Sequence, residues 1–247
     1  FNIVIDGLNL MTVLNLGFYN GRLRPLDICH GIAIALELKL SQVGVNCSWF
    51  HRFVTYILIA IGGGVLVGFM CGTHVPWLTD NWCFPTYVAM YLGVYFCPGD
   101  IVTRIMIYQP FYFLFRVIDA ISWGHAITNW GVDYAVGLGL TSYPMRIIIG
   151  FFSGAGGGIV AEMFCLREDN WGFKAPHAFL SFPFDVKMCL ILSIFYSVTL
   201  EPMRDVCSGQ AELDGYWSLL EWLCVVEEPC KVIVILALLP VYFYPAV

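Results

Sequence analysis

The sequence predicts an all-α, polytopic membrane protein of about seven transmembrane helices, arranged as an inverted three-plus-three repeat followed by a seventh helix. Three observations carry that expectation. Of 247 residues, 59% are apolar and only 12% charged, against about 25% charge in a typical soluble domain. So little charge cannot cover a folded core in water, so the exterior must face lipid. Apolar runs of the roughly 20 residues that cross a bilayer recur along the chain. Finally, short motifs from one half reappear in the same order in the other. The net charge of −6, with no basic run, excludes the cationic face that nucleic acids require.

The spans follow in order. Ile3 to Phe18 is apolar around Asp6. Asp27 to Gln42 is apolar but holds Glu37 and Lys39, and reads as an interfacial helix or loop. Phe53 to Cys71 is uncharged throughout and is the clearest span. Trp82 to Pro98 is shorter and uncharged. Ile105 to Trp130 contains Arg116 and Asp119. Ile147 to Phe164 is broken only by Glu162, and Phe179 to Leu200 has Asp185 and Lys187 near its start. Val232 to Val247 is last, kinked at Pro240. These form one transmembrane domain over 1–247: repeat one about 1–104, repeat two about 105–200, and the seventh helix about 230–247. Basic residues near span ends favour the N-terminus outside. Arg24 and Lys174 are then expected on the cytosolic side, with Asp80 and Glu212 opposite.

The repeat is visible within the chain itself. Ile-Gly-Gly-Gly-Val-Leu at 61–66 matches Ala-Gly-Gly-Gly-Ile-Val at 155–160. Phe84-Pro85-x-x-Val88-x-Met90-x-Leu92 matches Phe182-Pro183-x-x-Val186-x-Met188-x-Leu190. Val-Ile-Asp occurs at 4–6 and 117–119. With three spans per unit the halves enter the membrane from opposite sides, an arrangement whose centre often holds a transport pathway.

Each helical Gly costs roughly 1 kcal/mol relative to Ala, so the triplets Gly62, Gly63, Gly64 and Gly156, Gly157, Gly158, with Gly154 just before, mark either tight helix packing or helix breaks lining a polar or lipid site. Both readings stand at this stage; under either, the triplets are expected to bend or break their helices and meet at the protomer centre. Asp6, Arg116 and Asp119 lie within spans, where an ionised group at the centre costs at least ~2.5–3.5 kcal/mol. Arg116 and Asp119 sit three apart and can neutralise each other; alternatively Asp6 and Asp119 present carboxylates to a cation path. His125, Glu162 and Lys231 read as interfacial. The ten cysteines lie mostly in apolar runs and read as packed thiols, a Cys71–Cys83 loop pair being the alternative. No metal-ligand spacing, nucleophile elbow or phosphate-binding loop occurs, so no enzyme, metal or cofactor is expected.

Ile-Gly-Gly-Gly-Val-Leu, Tyr-Phe-Cys-Pro-Gly-Asp-Ile-Val (95–102) and Ser-Gly-Ala-Gly-Gly-Gly-Ile-Val (153–160) together resemble the trimeric intracellular cation (TRIC) channel family. Weaker echoes are Phe1 to Leu10, Tyr108-x-Pro110, Gly131-Val132-x-x-Ala135 and Asn170-Trp171. The resemblance implies a homotrimer among membrane lipids of the endoplasmic or sarcoplasmic reticulum, or of another organelle. Each protomer would hold a pore for potassium and other monovalent cations. It also implies a Lys-Glu-Val-x-Arg-x-x-Lys motif in span four that serves the pore and holds a phosphoinositide lipid. This chain departs there: alignment from Gly131-Val132 puts Ala120, Ile121, Ser122, Gly124 and Ile127 on those positions. No tight phosphoinositide site is expected. The alternatives are a structural subunit of a larger membrane complex, with unrelated subunits as partners, and a lipid or small-solute transporter.

Overall fold

The computed structural model describes residues 24–207 and 229–243. The expected first span, with Asp6, lies outside them. Among the described residues every regular element is helical: α1 (Pro25–Leu40), α2 (Trp49–Cys71), a short α3 (Pro76–Thr79), α4 (Cys83–Phe96), α5 (Ile101–Ile107), α6 (Gln109–Ile127), α7 (Tyr134–Gly137), α8 (Tyr143–Met163), a short α9 (His177–Ser181), α10 (Phe184–Cys207) and α11 (Pro229–Phe243). By length and composition α2 and α8 can each cross a membrane, and the bent run from Pro98 to Gly137 adds a third crossing if taken as one span. Large apolar side chains cover the outside, among them Phe69, Leu92, Phe113 and Ile191, as lipid contact requires.

Local chemistry sets the helix ends. Ser48 caps α2 by accepting from the His51 amide at 3.2 Å, satisfying one of the first-turn donors. At the other end Gly72 turns left-handed, φ 63°, and the Thr73 amide reaches back to Gly68 O at 2.9 Å, a Schellman closure. Pro25, Pro110 and Pro144 occupy the first turns of α1, α6 and α8, where a missing N–H costs nothing. Pro110 also separates α5 from α6: Tyr108 before it is extended, ψ 123°, and the two segments meet at 73°.

The glycine triplets form the centre of the fold. A Cβ on Gly62 would lie 3.2 Å from Gly157 Cα, and one on Gly156 would lie 2.7 Å from Gly63 Cα. A Cβ on Gly63 would lie 2.6 Å from Ser153 O, and one on Gly157 would fall on Ile59 O. The shift along the sequence that takes Gly62 to Gly156 also takes Gly63 to Gly157 and Ile59 to Ser153. The contacts are thus a two-fold-related set, and as α2 advances its partner on α8 recedes, so the two helices run in opposite senses. This is the inverted repeat seen at atomic scale. Both helices keep helical backbone through their triplets. The expected break is therefore not found; close backbone approach, which only glycine permits, accounts for the residues.

Two other expectations are corrected. The segment read as interfacial is α1, a bundle helix packed along α4 and α6, with Leu26 and Ala35 fully buried and Leu38 nearly so. Its charges misled because they face an internal cavity. For the same reason Arg24 is not across the bundle from Asp80. It pairs with it at 3.4 Å, at the N-terminal end of α1. That juxtaposition puts Arg24 and Asp80 at the same end of the bundle, against the expectation that they lie on opposite sides. Glu212 lies outside the described residues.

Candidate functional site

A cavity of about 970 Å³ lies among α1, α2, α6 and α8. From α1 and the residue that precedes it the cavity takes Arg24, Asp27, His30, Ile34 and Glu37, spaced three or four apart and so on one helix face. At 1.5 Å per residue that face runs about 20 Å, most of a bilayer's hydrocarbon thickness. From α6 it takes Tyr112, Arg116, Asp119, Ser122 and Ala126, again a single face. Gly64 and Gly158 complete the wall, and a Cβ on either would meet nothing within 4 Å. Each triplet therefore divides its labour: the first two glycines meet the partner helix, the second also bordering the cavity, and the third faces the cavity alone.

Three polar pairs cross this space, two of them ion pairs, each with one partner on or just before α1. Arg24 meets Asp80 at one end. Arg167 meets Glu37 at the other, 2.7 Å. Between them His30 Nδ1 lies 3.3 Å from Asp119 Oδ1. Asp27, only 7% exposed, lines the same face with no hydrogen bond or ion pair among the described residues, its carboxylate open to the cavity. Beyond the Glu37 end, Lys39 Nζ donates to Asp100 Oδ1 at 2.6 Å, to Val94 O at 2.7 Å and to Thr103 Oγ1 at 3.2 Å, tying α1 to the Cys-Pro-Gly-Asp turn. Asp100 sits there at φ 56°, and the Lys39 ammonium holds its carboxyl below the usual carboxylate range.

Against the sequence reading, Asp119 is a cavity residue, 5% exposed, but its partner is His30 and not Arg116. Arg116 also lines the cavity, donates from Nε to Tyr112 Oη at 3.0 Å and lies over the Tyr112 ring. Gly63, Gly64, Gly154, Gly157 and Gly158 line the cavity, while Gly62 and Gly156 lie in the seam. The reading missed Asp27 and His30. The signal was present: polar residues at 24, 27, 30 and 37 recur at helical spacing within an apolar run.

The wall of α6 ends in a π-helical turn, Thr128–Asp133, which presents Trp130 to the cavity and carries Asp133 beside α10 and α11. There the Lys231 ammonium meets Asp133 at 2.8 Å and Tyr196 Oη donates to the same carboxylate at 3.1 Å. Lys231 and His125, read as interfacial, are each 4% exposed; Lys231 is buried because the bent turn brings it a counter-charge. Gly131 makes the turn fit, since a Cβ there would lie 2.6 Å from Gly150 Cα. Cys71 and Cys83 are free thiols, and no group of three metal-ligating side chains occurs among the described residues.

A family model described as the TRIC channel matches residues 41–209. Trimeric intracellular cation channel type B of Mus musculus is 25% identical over 189 residues, covering 74% of this chain. Type 1B.2 of Caenorhabditis elegans is 26% identical over 202 residues, covering 78%. The match spans 64% of the length of each of these relatives. Among solved structures, a trimeric intracellular cation channel from C. elegans with bound Ca2+ superposes with a TM-score of 0.67 at 17% identity, covering 98% of this chain and 95% of that one. The same kind of channel without Ca2+ gives 0.66 at 21%, covering 100% and 98%. At these identities the structures speak for the fold.

Proposed function

Since this chain belongs to the TRIC channel family, we propose that it is a monovalent cation channel, with potassium its main ion and one pathway within each protomer of a homotrimer in an intracellular membrane. The observation that supports this reading is the cavity between α1 and α6, with Asp27 and Asp119 on its two walls. A carboxylate in a low-dielectric passage raises the local concentration of cations and repels anions. Asp27 is the stronger attractor, because Asp119 shares its charge with His30 and the end carboxylates Asp80 and Glu37 are each held by an arginine. The two arginine pairs close the ends, so conduction requires them to part or to be skirted.

Purified protein in planar bilayers under a potassium chloride gradient tests the proposal. Wild type should carry cation-selective current, and Asp27→Asn should cut unit conductance several-fold, more than Asp119→Asn. Silence from intact wild-type trimers would favour the structural-subunit reading. With span four lacking the lysines of the family motif, no tight phosphoinositide binding is expected, and flotation with vesicles containing such lipid should give no enrichment over neutral vesicles.

A further inference from the structure

We infer that the cavity is also a binding site for a small organic amine, whose ammonium group is held between Asp27 of α1 and Ser122 of α6 and whose apolar part lies among the rings beside them. The site is in the cavity that the channel reading uses, but the inference does not need current to flow through it.

The two residues are brought together by the register of their helices. His30 meets Asp119, and Leu26 shares a core cluster with Ile121, so α1 runs back as α6 runs forward. Asp27 and Ser122, each about one turn beyond the His30–Asp119 contact, therefore face each other at one level of the cavity. Both line it. Asp27 is 7% exposed and Ser122 3%, and neither side chain makes a hydrogen bond or ion pair among the described residues. A buried carboxylate and a buried hydroxyl without partners carry a cost that a ligand can remove.

The other charges of the wall are engaged elsewhere. Arg24, a turn before Asp27, is held by Asp80, and His30, a turn after, by Asp119. Arg116 lies on the far side of the His30–Asp119 contact, over the Tyr112 ring. Glu37 is taken by Arg167 at the other end. Asp185 of α10 also lines the cavity but is exposed.

An ammonium group brings three N–H donors, which suits one carboxylate and one hydroxyl oxygen, and its charge makes the bond to Asp27 strong. Val67, Trp77, Tyr87 and Trp123 line the same space, offering apolar surface to an organic group and rings that attract a cation. Trp77 also has its Nε1–H buried with no acceptor. A potassium ion has nothing to give that donor, whereas an ether or hydroxyl oxygen on an organic ligand can serve it. The volume, about 970 Å³, falls in the range of pockets that take drug-sized molecules.

The test compares 2-phenoxyethylamine, charged at neutral pH, with its uncharged analogue 2-phenoxyethanol. Binding to the purified protein in detergent is measured by isothermal titration and by the rise in unfolding temperature that a ligand of the folded state produces. Wild type should bind the amine about tenfold or more tightly than the alcohol, the worth of a hydrogen bond to a charged group. Asp27→Asn should bring the amine down to the level of the alcohol, and Ser122→Ala should weaken it severalfold. Equal affinity of wild type for the two compounds, or no binding of the amine, overturns the inference. So does an Asp27→Asn protein that keeps the preference, which would place the ammonium at another carboxylate. If Asp27→Asn does not fold, Ser122→Ala decides, and an unchanged amine affinity there overturns the site. Binding by protein that carries no potassium current leaves this inference standing and removes the channel reading; current without binding does the reverse.

Discussion

The α2–α8 seam and the α1–α6 face lie side by side in one bundle and obey different rules. Across the seam, matched residues make matched contacts: Gly62 and Gly63 meet Gly157 and Gly156 as their counterparts meet them. Across the face nothing is matched. The α1 side brings Arg24, Asp27, His30 and Glu37, and α6 brings Arg116 and Asp119. The difference shows what each surface selects for. Backbone approach has one solution, so both copies of a repeat must use it. The cavity face carries no such backbone constraint: its helices meet through side chains, as His30 meets Asp119, so its two walls are free to differ.

The largest expected effect attacks the seam. Gly157→Leu places a side chain on the Ile59 carbonyl, which neither helix can vacate without separating. Little folded protein should survive detergent extraction, judged by size-exclusion chromatography. Even Gly157→Ala should cost about 1–3 kcal/mol, the usual range for overpacking. Wild-type yield and stability from Gly157→Leu would mean that the seam is looser than its geometry.

Next comes a polar contact that behaves like packing. Lys231→Met leaves Asp133 in a mostly buried position without its cation, and breaking such a pair costs about 3–5 kcal/mol. Adding Asp133→Asn removes the stranded charge and should recover much of the loss in thermal unfolding. A double variant no better than Lys231→Met would assign the loss to the packing of the lysine stem instead.

These two regions also differ in how far the sequence disclosed them. The triplets were legible because glycine is costly in a helix and two copies at one spacing are hard to overlook. That they pack rather than break was not legible, since the same cost signals either outcome until the partner backbone is seen. The α1 face was misjudged because charge within an apolar run reads as surface, and only the third dimension shows that those charges look inward. Asp119 was found without its partner, since His30 is 89 residues away. The π-helical turn left no mark beyond Gly131.

A smaller effect belongs to the end of α1. Lys39 holds Asp100 below the ordinary carboxylate range, so the stabilisation is fully present above the unfolded carboxyl's pKa and fades as pH falls through the folded value. Asp100→Asn should lower Tm slightly at neutral pH, because Asp100 is exposed and solvent screens the pair. The gap from wild type should close on acidification to about pH 3. A gap constant with pH would assign the effect to the left-handed backbone at this position rather than to charge.

The smallest effect on folding is the sharpest test of the division within each triplet. Gly158 adjoins Gly157 in sequence, yet a Cβ on Gly158 meets nothing within 4 Å and points into the cavity wall. Gly158→Ala should therefore be neutral or stabilise by up to about 1 kcal/mol, the helix-propensity difference between the two residues. Its symmetry mate Gly64→Ala should behave alike. Larger side chains then separate the two roles: Gly158→Leu should leave folded yield and Tm near wild type while reducing the current of the proposed channel, because the leucine occupies the cavity and not the seam. If Gly158→Leu instead unfolds the protein as Gly157→Leu does, the third glycine belongs to the seam and the cavity wall lies elsewhere. If it folds and conducts fully, ions do not pass between Gly158 and α1, and the pathway through this cavity is wrong.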